Sequence, residues 1–168
     1  MKQNLIKLQK AINYILARIA ALLLIAMTIL VIYQVFTRYV LNNPADFTEE
    51  IVRYTLIWLG FVGAAYAFST REHIALEFFR DKFPPAGKHV LIIAMDVLIL
   101  ATVFAIMVVG GIKLVYSARM EFSPILHISR SLVYTMGPVS GILICFLQIV
   151  HIWEDVTGID LNKEKEAE

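Results

Sequence analysis

The stretch IAALLLIAMTILVIYQVFT, Ile19 to Thr37, decides the fold: it holds no charge and is closed by Arg18 on one side and Arg38 on the other. At about 1.5 Å of rise per residue, a helix of this length reaches roughly 28 Å, close to the ~30 Å hydrocarbon thickness of a bilayer. Working outward, a second apolar run lies between Arg53 and Arg71, and Ile51 and Val52 lengthen its apolar surface by half a turn. A third, 90–112, carries one acid, Asp96, and a fourth, Ser131 to Trp153, has no acid, lysine or arginine. Hydrocarbon offers no partner to an unpaired peptide group, so each run is expected to be a helix. The expected fold is an all-α integral membrane protein, one membrane domain over 1–168. Its four transmembrane helices lie at about 19–38, 51–70, 89–112 and 131–153.

Composition agrees: 59% of the 168 residues are hydrophobic and 17% charged, leaving no stretch for a separate water-soluble domain. Residues 1–17 mix lysines with Leu5, Leu8, Ile12, Ile15 and Leu16 at helical spacing, and no small-residue cleavage site follows the first run. An uncleaved N-terminal helix is expected there. The single cysteine, Cys145, falls inside the fourth run, where it serves packing; no disulfide or thiolate cluster is available. Of the 15 Lys and Arg residues, the first and third connections hold only Arg38, Arg53, Lys113, Arg119 and Arg130. The positive-inside rule then places both termini in the cytoplasm, which an even number of spans requires. No basic, aromatic-interleaved patch points to nucleic acid.

The connections carry further signals. Asn42-Asn43-Pro44 breaks the chain, and Asp46-Phe47-Thr48-Glu49 has capping-box spacing, with Asp46 as cap and Glu49 reaching back. Glu49 and Glu50 then sit in a first helical turn with Arg53 one turn later, and Arg38 lies at the same membrane level. Such an Arg–Glu–Glu–Arg cluster reads either as a solvated cap or as a docking surface. In the second connection, Ile74, Phe78 and Phe79 share one side of a segment that Pro84-Pro85 ends. An amphipathic interfacial helix over about 74–83 is expected, held to membrane lipids by its phenylalanines with Arg80 and Lys82.

Asp96 lies inside the membrane, where a charge costs on the order of 3 kcal/mol. Lys88, His89, Gln148 and His151 are candidate partners, and both a structural hydrogen-bonding role and an ion-coupling role remain open. Four histidines raise the alternative of a haem or quinone anchor subunit of a redox enzyme, yet none is placed mid-span as an axial ligand would be. No zinc, nucleophile-elbow or phosphate-loop motif is present, so no enzyme activity and no cofactor or metal of its own are expected. Gly60, Gly63, Ala64, Ala67, Gly110 and the pair Gly137 and Gly141 are small residues at spacings that let helices approach closely, and Pro138 is placed to kink the fourth span.

Val35-Phe36-Thr37-Arg38-Tyr39, then Glu49-Glu50, Arg53, Trp58, Gly60, Gly63-Ala64-Ala65 and His73-Ile74, form a pattern that resembles the small membrane subunit of tripartite ATP-independent periplasmic (TRAP) transporters. Ser123-Pro124-Ile125-Leu126-His127-Ile128, Val133-Tyr134 and Pro138 extend the resemblance over nearly the whole chain. Ser129 and Ser140 depart from it, standing where a proline and a glycine are expected. The resemblance implies a scaffold in the bacterial inner membrane, packed beside a large multi-span subunit that carries the sodium and substrate sites. A periplasmic binding protein would deliver an organic acid anion, of sialic acid or C4-dicarboxylate type. On this reading Arg38, Glu49, Glu50 and Arg53 order the outer ends of the first two spans, and Trp58, Gly60 and Gly63 face neighbouring helices.

Overall fold

The computed structural model describes residues 2–70 and 85–157. Within them, helix α1 runs Lys2–Tyr39, α2 Asp46–Thr70 and α3 Pro85–Val103. A π-helical segment, Phe104–Gly110, joins α3 to α4, Gly111–Ser117, and a 3-10 turn at Ala118–Met120 follows. The short α5, Arg130–Tyr134, leads into α6, Met136–Thr157. Four stretches among the described residues are long and apolar enough to cross a membrane: Lys7–Tyr39, Asp46–Thr70, Ile93–Met120 and Arg130–Glu154. The expected interfacial helix at about 74–83 and the charged tail lie outside the described residues.

Two helices run past the ends of their apolar stretches. The helix expected over residues 1–17 and the first apolar run form one element, since α1 passes through Arg18 without a break. An arginine near a helix end can fold its long side chain back to the interface, so its charge is a poor boundary marker. The third span likewise continues beyond Ile112 to Met120. Lys113 is exposed on it, and the Arg119 guanidinium stacks 4.8 Å from the Tyr116 ring centroid. Both cations keep apolar stems along the helix while their heads reach outward.

The bundle has two ends. At the distal end α1 hands over to α2, and the 121–129 loop joins the third span to the fourth. At the proximal end lie the start of α1, the end of α2, the start of α3 and the end of α6. Leu16, Val62, Ala65, Val103, Val108, Ile144 and Cys145 form the buried core between them. Outside it, Leu22, Ile25, Ile29, Ile32, Leu98, Ile106 and Ile149 stand exposed, as the surface of a protein solvated by lipid requires.

Spans that share no water-driven attraction pack by close approach. Gly111 and Gly141 make it possible here. A Cβ on Gly111 would stand 2.9 Å from Pro138 Cδ, and one on Gly141 would stand 2.8 Å from Met107 Cβ. Gly137 faces the Phe61 ring more loosely, with 3.5 Å to its nearest atom. The fourth span is interrupted at Thr135, between α5 and α6. Pro138 has no N–H to offer the Tyr134 carbonyl, so the helix loses its ladder at the expected kink. One turn on, the buried Ser140 hydroxyl donates to the Met136 carbonyl at 2.7 Å and the Gly137 carbonyl at 3.0 Å. A serine in the place of the expected glycine thus pairs internally.

Gly60 and Gly63 behave differently. A Cβ on either would meet nothing within 4 Å, so neither mediates a close approach within this chain. Gly111→Leu and Gly141→Leu are therefore expected to cost about 1–3 kcal/mol of stability through overpacking. Gly60→Ala and Gly63→Ala should leave the isolated chain unchanged or slightly stabilised, since alanine is the better helix former. Melting temperatures of the four detergent-solubilised variants give the comparison.

Candidate functional site: a distal interaction cleft

The distal end is built from the turn after α1. Asn42 takes a left-handed conformation, φ 48°, and Asn43 N donates to the Thr37 carbonyl at 3.1 Å, so the last turn of α1 is capped by its own backbone. Pro44 then prevents continuation. Helix α2 begins with Asp46 already inside it, which corrects the expected capping box with Asp46 as cap. The cap position falls on Ala45, whose carbonyl accepts both the Thr48 N–H at 3.0 Å and the Thr48 hydroxyl at 2.6 Å.

The two adjacent glutamates of α2 have different fates. Glu49 forms an i,i+4 ion pair with Arg53 at 3.2 Å, both side chains more than half exposed, and such a pair contributes only about 0.3–0.5 kcal/mol. Arg38 is also exposed, on α1. Glu50 points inward, with 6% of its surface accessible. Its Oε1 accepts the Tyr54 hydroxyl at 2.9 Å, and its Oε2 accepts the backbone N–H of Leu126 at 2.9 Å. Leu126 belongs to the third connection, so Glu50 fastens that loop onto α2.

The loop is a small hairpin. Ser123 N donates to the Ile128 carbonyl and Arg130 N to the Glu121 carbonyl, each at 2.9 Å, while Phe122 and Ser129 lie opposite one another. The Arg130 guanidinium bonds Glu121 at 3.2 Å. His127 turns the chain at φ 53°, and its N–H donates to the Ser123 carbonyl. Trp58, about one turn further along α2 than Tyr54, donates its indole N–H to the Val133 carbonyl at 3.1 Å, tying α2 to α5. Ser129 has φ −62°, the value a proline ring imposes, and faces Phe122 at a position whose N–H does not enter the ladder. The departure from the expected proline therefore leaves the backbone path intact.

These elements enclose a cleft of roughly 400 Å³. Its walls include apolar Ile57, Pro124, Ile125 and Val133, and polar Asp46, Glu49, Glu50, Arg53, Tyr54 and Arg130. The arrangement suits protein recognition at a membrane surface: charge of both signs on the rim, apolar floor, and a loop held in one conformation by a buried carboxylate.

Asp96 belongs to the other end. It accepts the Gln148 side-chain amide at 2.6 Å, both residues buried. Nearby contacts of the same kind join Gln9 to Glu154 at 3.4 Å and Ser69 to Asn13. Together these polar pairs, two of them buried, link all four spans. His127 and His151 lie at opposite ends of the bundle, so these two cannot both be axial ligands of one haem. No group of three or more metal-ligating side chains occurs among the described residues.

A family model described as tripartite ATP-independent periplasmic transporters, DctQ component, matches residues 27–158. A putative TRAP transporter small permease protein of Haemophilus influenzae is 32% identical over 141 residues, covering 84% of this chain and 87% of that protein. The sialic acid TRAP transporter small permease protein SiaQ of Vibrio cholerae is 31% identical over 146 residues, covering 87% and 84%. The sialic acid TRAP transporter permease protein SiaT of Haemophilus influenzae is 23% identical over 137 residues, which are 82% of this chain but 22% of that much longer one.

Replacing Glu50 by alanine is expected to free the 121–130 loop, raising its cleavage rate by a nonspecific protease roughly tenfold, because the Leu126 N–H loses its buried acceptor. Glu49→Ala should change that rate less than about twofold, as its pair is exposed. Ser129→Pro is expected to be neutral or to stabilise by up to about 1 kcal/mol, since it restricts the unfolded chain at a compatible φ. Limited proteolysis followed by mass mapping, together with thermal melts, distinguishes the three.

Proposed function

The chain belongs to the DctQ component family of tripartite ATP-independent periplasmic transporters, a small permease subunit rather than an enzyme, and from this we propose a fixed frame that steadies a large transport subunit. The substrate is an organic acid anion, of the sialic acid or C4-dicarboxylate type, imported with sodium across a bacterial inner membrane. Both termini face the cytoplasm, which puts the distal cleft on the periplasmic side, where a binding protein delivers the anion. The sodium and substrate sites belong to the large subunit.

The observation that carries this reading is the similarity to SiaT, a permease in which a region resembling this chain occupies about a fifth of one polypeptide. The region that makes up this chain has a counterpart within that larger permease, which favours direct packing between the two parts. The internal geometry supports a frame. Buried Gln9, Ser69, Asp96, Gln148 and Glu154 are engaged in ties between helices, and Asp96, held by Gln148, serves as such a tie rather than as a coupling group. The open sides of Gly60 and Gly63 suit an approach by a helix of the large subunit.

Tagging the chain and extracting it in mild detergent should recover a larger, very hydrophobic permease in stoichiometric amount. Proteoliposomes holding that complex, given the cognate binding protein, should take up the anion only under an inward sodium gradient. Glu50→Ala is expected to lower uptake severalfold and Arg53→Ala less, with the order of preferred substrates unchanged in both. Recovery of the chain without a large permease, or uptake that ignores sodium, would overturn the proposal.

A further inference from the structure

Helix α1 contains Lys2, Lys7, Lys10, Arg18 and Arg38 and no acidic residue. At about 100° per residue, Lys7, Lys10, Tyr14 and Arg18 fall within an arc of roughly 80°, and all four are exposed. Buried Gln9 and Leu16 mark the opposite side, which packs into the bundle. The basic residues and the tyrosine thus form one continuous outward stripe.

Its depth follows from the bond between Ser69 and Asn13. Ser69 lies two residues before Arg71, the first charge after the second apolar run, so Asn13 marks the proximal boundary of the apolar layer on α1. Arg18 lies five residues further in, about 7.5 Å. Its guanidinium does not stay there: it folds back over the Tyr14 ring, 4.5 Å from the centroid, one turn nearer the interface. Lys10 and Lys7 stand about 4.5 and 9 Å on the outer side of Asn13, at headgroup height.

We infer that this stripe is a binding site for an anionic phospholipid of the proximal leaflet. Arg18, resting on Tyr14, reaches the phosphate from the acyl side, while Lys7 and Lys10 meet the headgroup from above. A zwitterionic headgroup brings no net charge to this stripe of three cations, so an anionic one is preferred. All four residues precede 27–158, the segment matched by the family model, so the site does not follow from family membership. Nor does it depend on the transport reading, since it needs only that α1 crosses the membrane.

The test uses the full-length chain, alone and in complex with its large subunit, in a neutral detergent. Each is titrated with phosphatidylglycerol or phosphatidylcholine, and retained lipids are counted by native mass spectrometry. Wild type should retain phosphatidylglycerol in preference, and the preference should fall with added salt. Each charge removed at a surface of this kind weakens the affinity about fivefold, so the Lys7→Gln/Arg18→Gln double variant should lose roughly 25-fold. Arg38→Gln, at the distal end, should keep the wild-type preference. Equal retention of the two lipids, or undiminished binding in the double variant, overturns the site. Loss of phosphatidylglycerol when the large subunit is present also overturns it, by showing that a protein covers this face.

Discussion

Every peptide group inside a bilayer must find its partner within the protein, because hydrocarbon supplies none. This chain meets that demand with four long helices, one of which is interrupted near its start. Where Pro138 deprives the Tyr134 carbonyl of its donor, the chain steps through Thr135, and the Thr135 hydroxyl turns back to the Leu132 carbonyl at 2.6 Å. Thr28, Thr55 and Thr102 do the same within their helices, each to the carbonyl four residues earlier. The hydroxyls are thereby neutralised before they reach lipid. The π segment Phe104–Gly110 adds a local widening of the third span just before the glycine that meets Pro138, so the two irregular stretches lie at a close approach of the two spans.

With so many large apolar side chains facing lipid, the interior core is thin, and the ends of the bundle are fixed by polar ties. At the proximal end, Gln9 with Glu154, Asn13 with Ser69 and Asp96 with Gln148 connect α1 to α6, α1 to α2 and α3 to α6. Such interhelical bonds are modest individually, about 0.6 kcal/mol on average. Their value lies in register. A helix that slides by one residue leaves a buried amide or carboxylate without its partner, and that penalty has no compensation in an apolar surrounding. The distal end uses the same device once, through Glu50 and Leu126, with Trp58 to Val133 beside it.

The features legible in the sequence are those with local periodicity. Four apolar runs, the break at Asn42-Asn43-Pro44 and the Glu49–Arg53 pair one turn apart all follow from spacing along one helix. Gln148 also stood among the candidate partners of Asp96, because span lengths place both near one end. What spacing cannot show is which of two adjacent glutamates turns inward: Glu50 is distinguished from Glu49 by a peptide N–H 76 residues away. The glycines pose the same difficulty. Gly60, Gly63 and Gly141 all look like contact residues, yet of these only Gly141, together with Gly111, closely accepts a neighbour, since only the mutual rotation of the spans decides which face meets another helix.

The difference between the two glutamates also bears on how a membrane surface can recognise a protein. A loop between spans that waved freely would lose conformational entropy on every encounter, at about 1–2 kcal/mol for each residue fixed. Holding the 121–129 hairpin through a carboxylate shielded from water removes most of that loss in advance. The exposed Glu49–Arg53 pair remains free to exchange partners at little cost, since it is weak and hydrated. Buried Glu50 thus sets the shape of the cleft while its neighbour supplies charge at the rim. A single residue's step around the helix divides these roles, and the same carboxylate chemistry serves both because burial alone separates them.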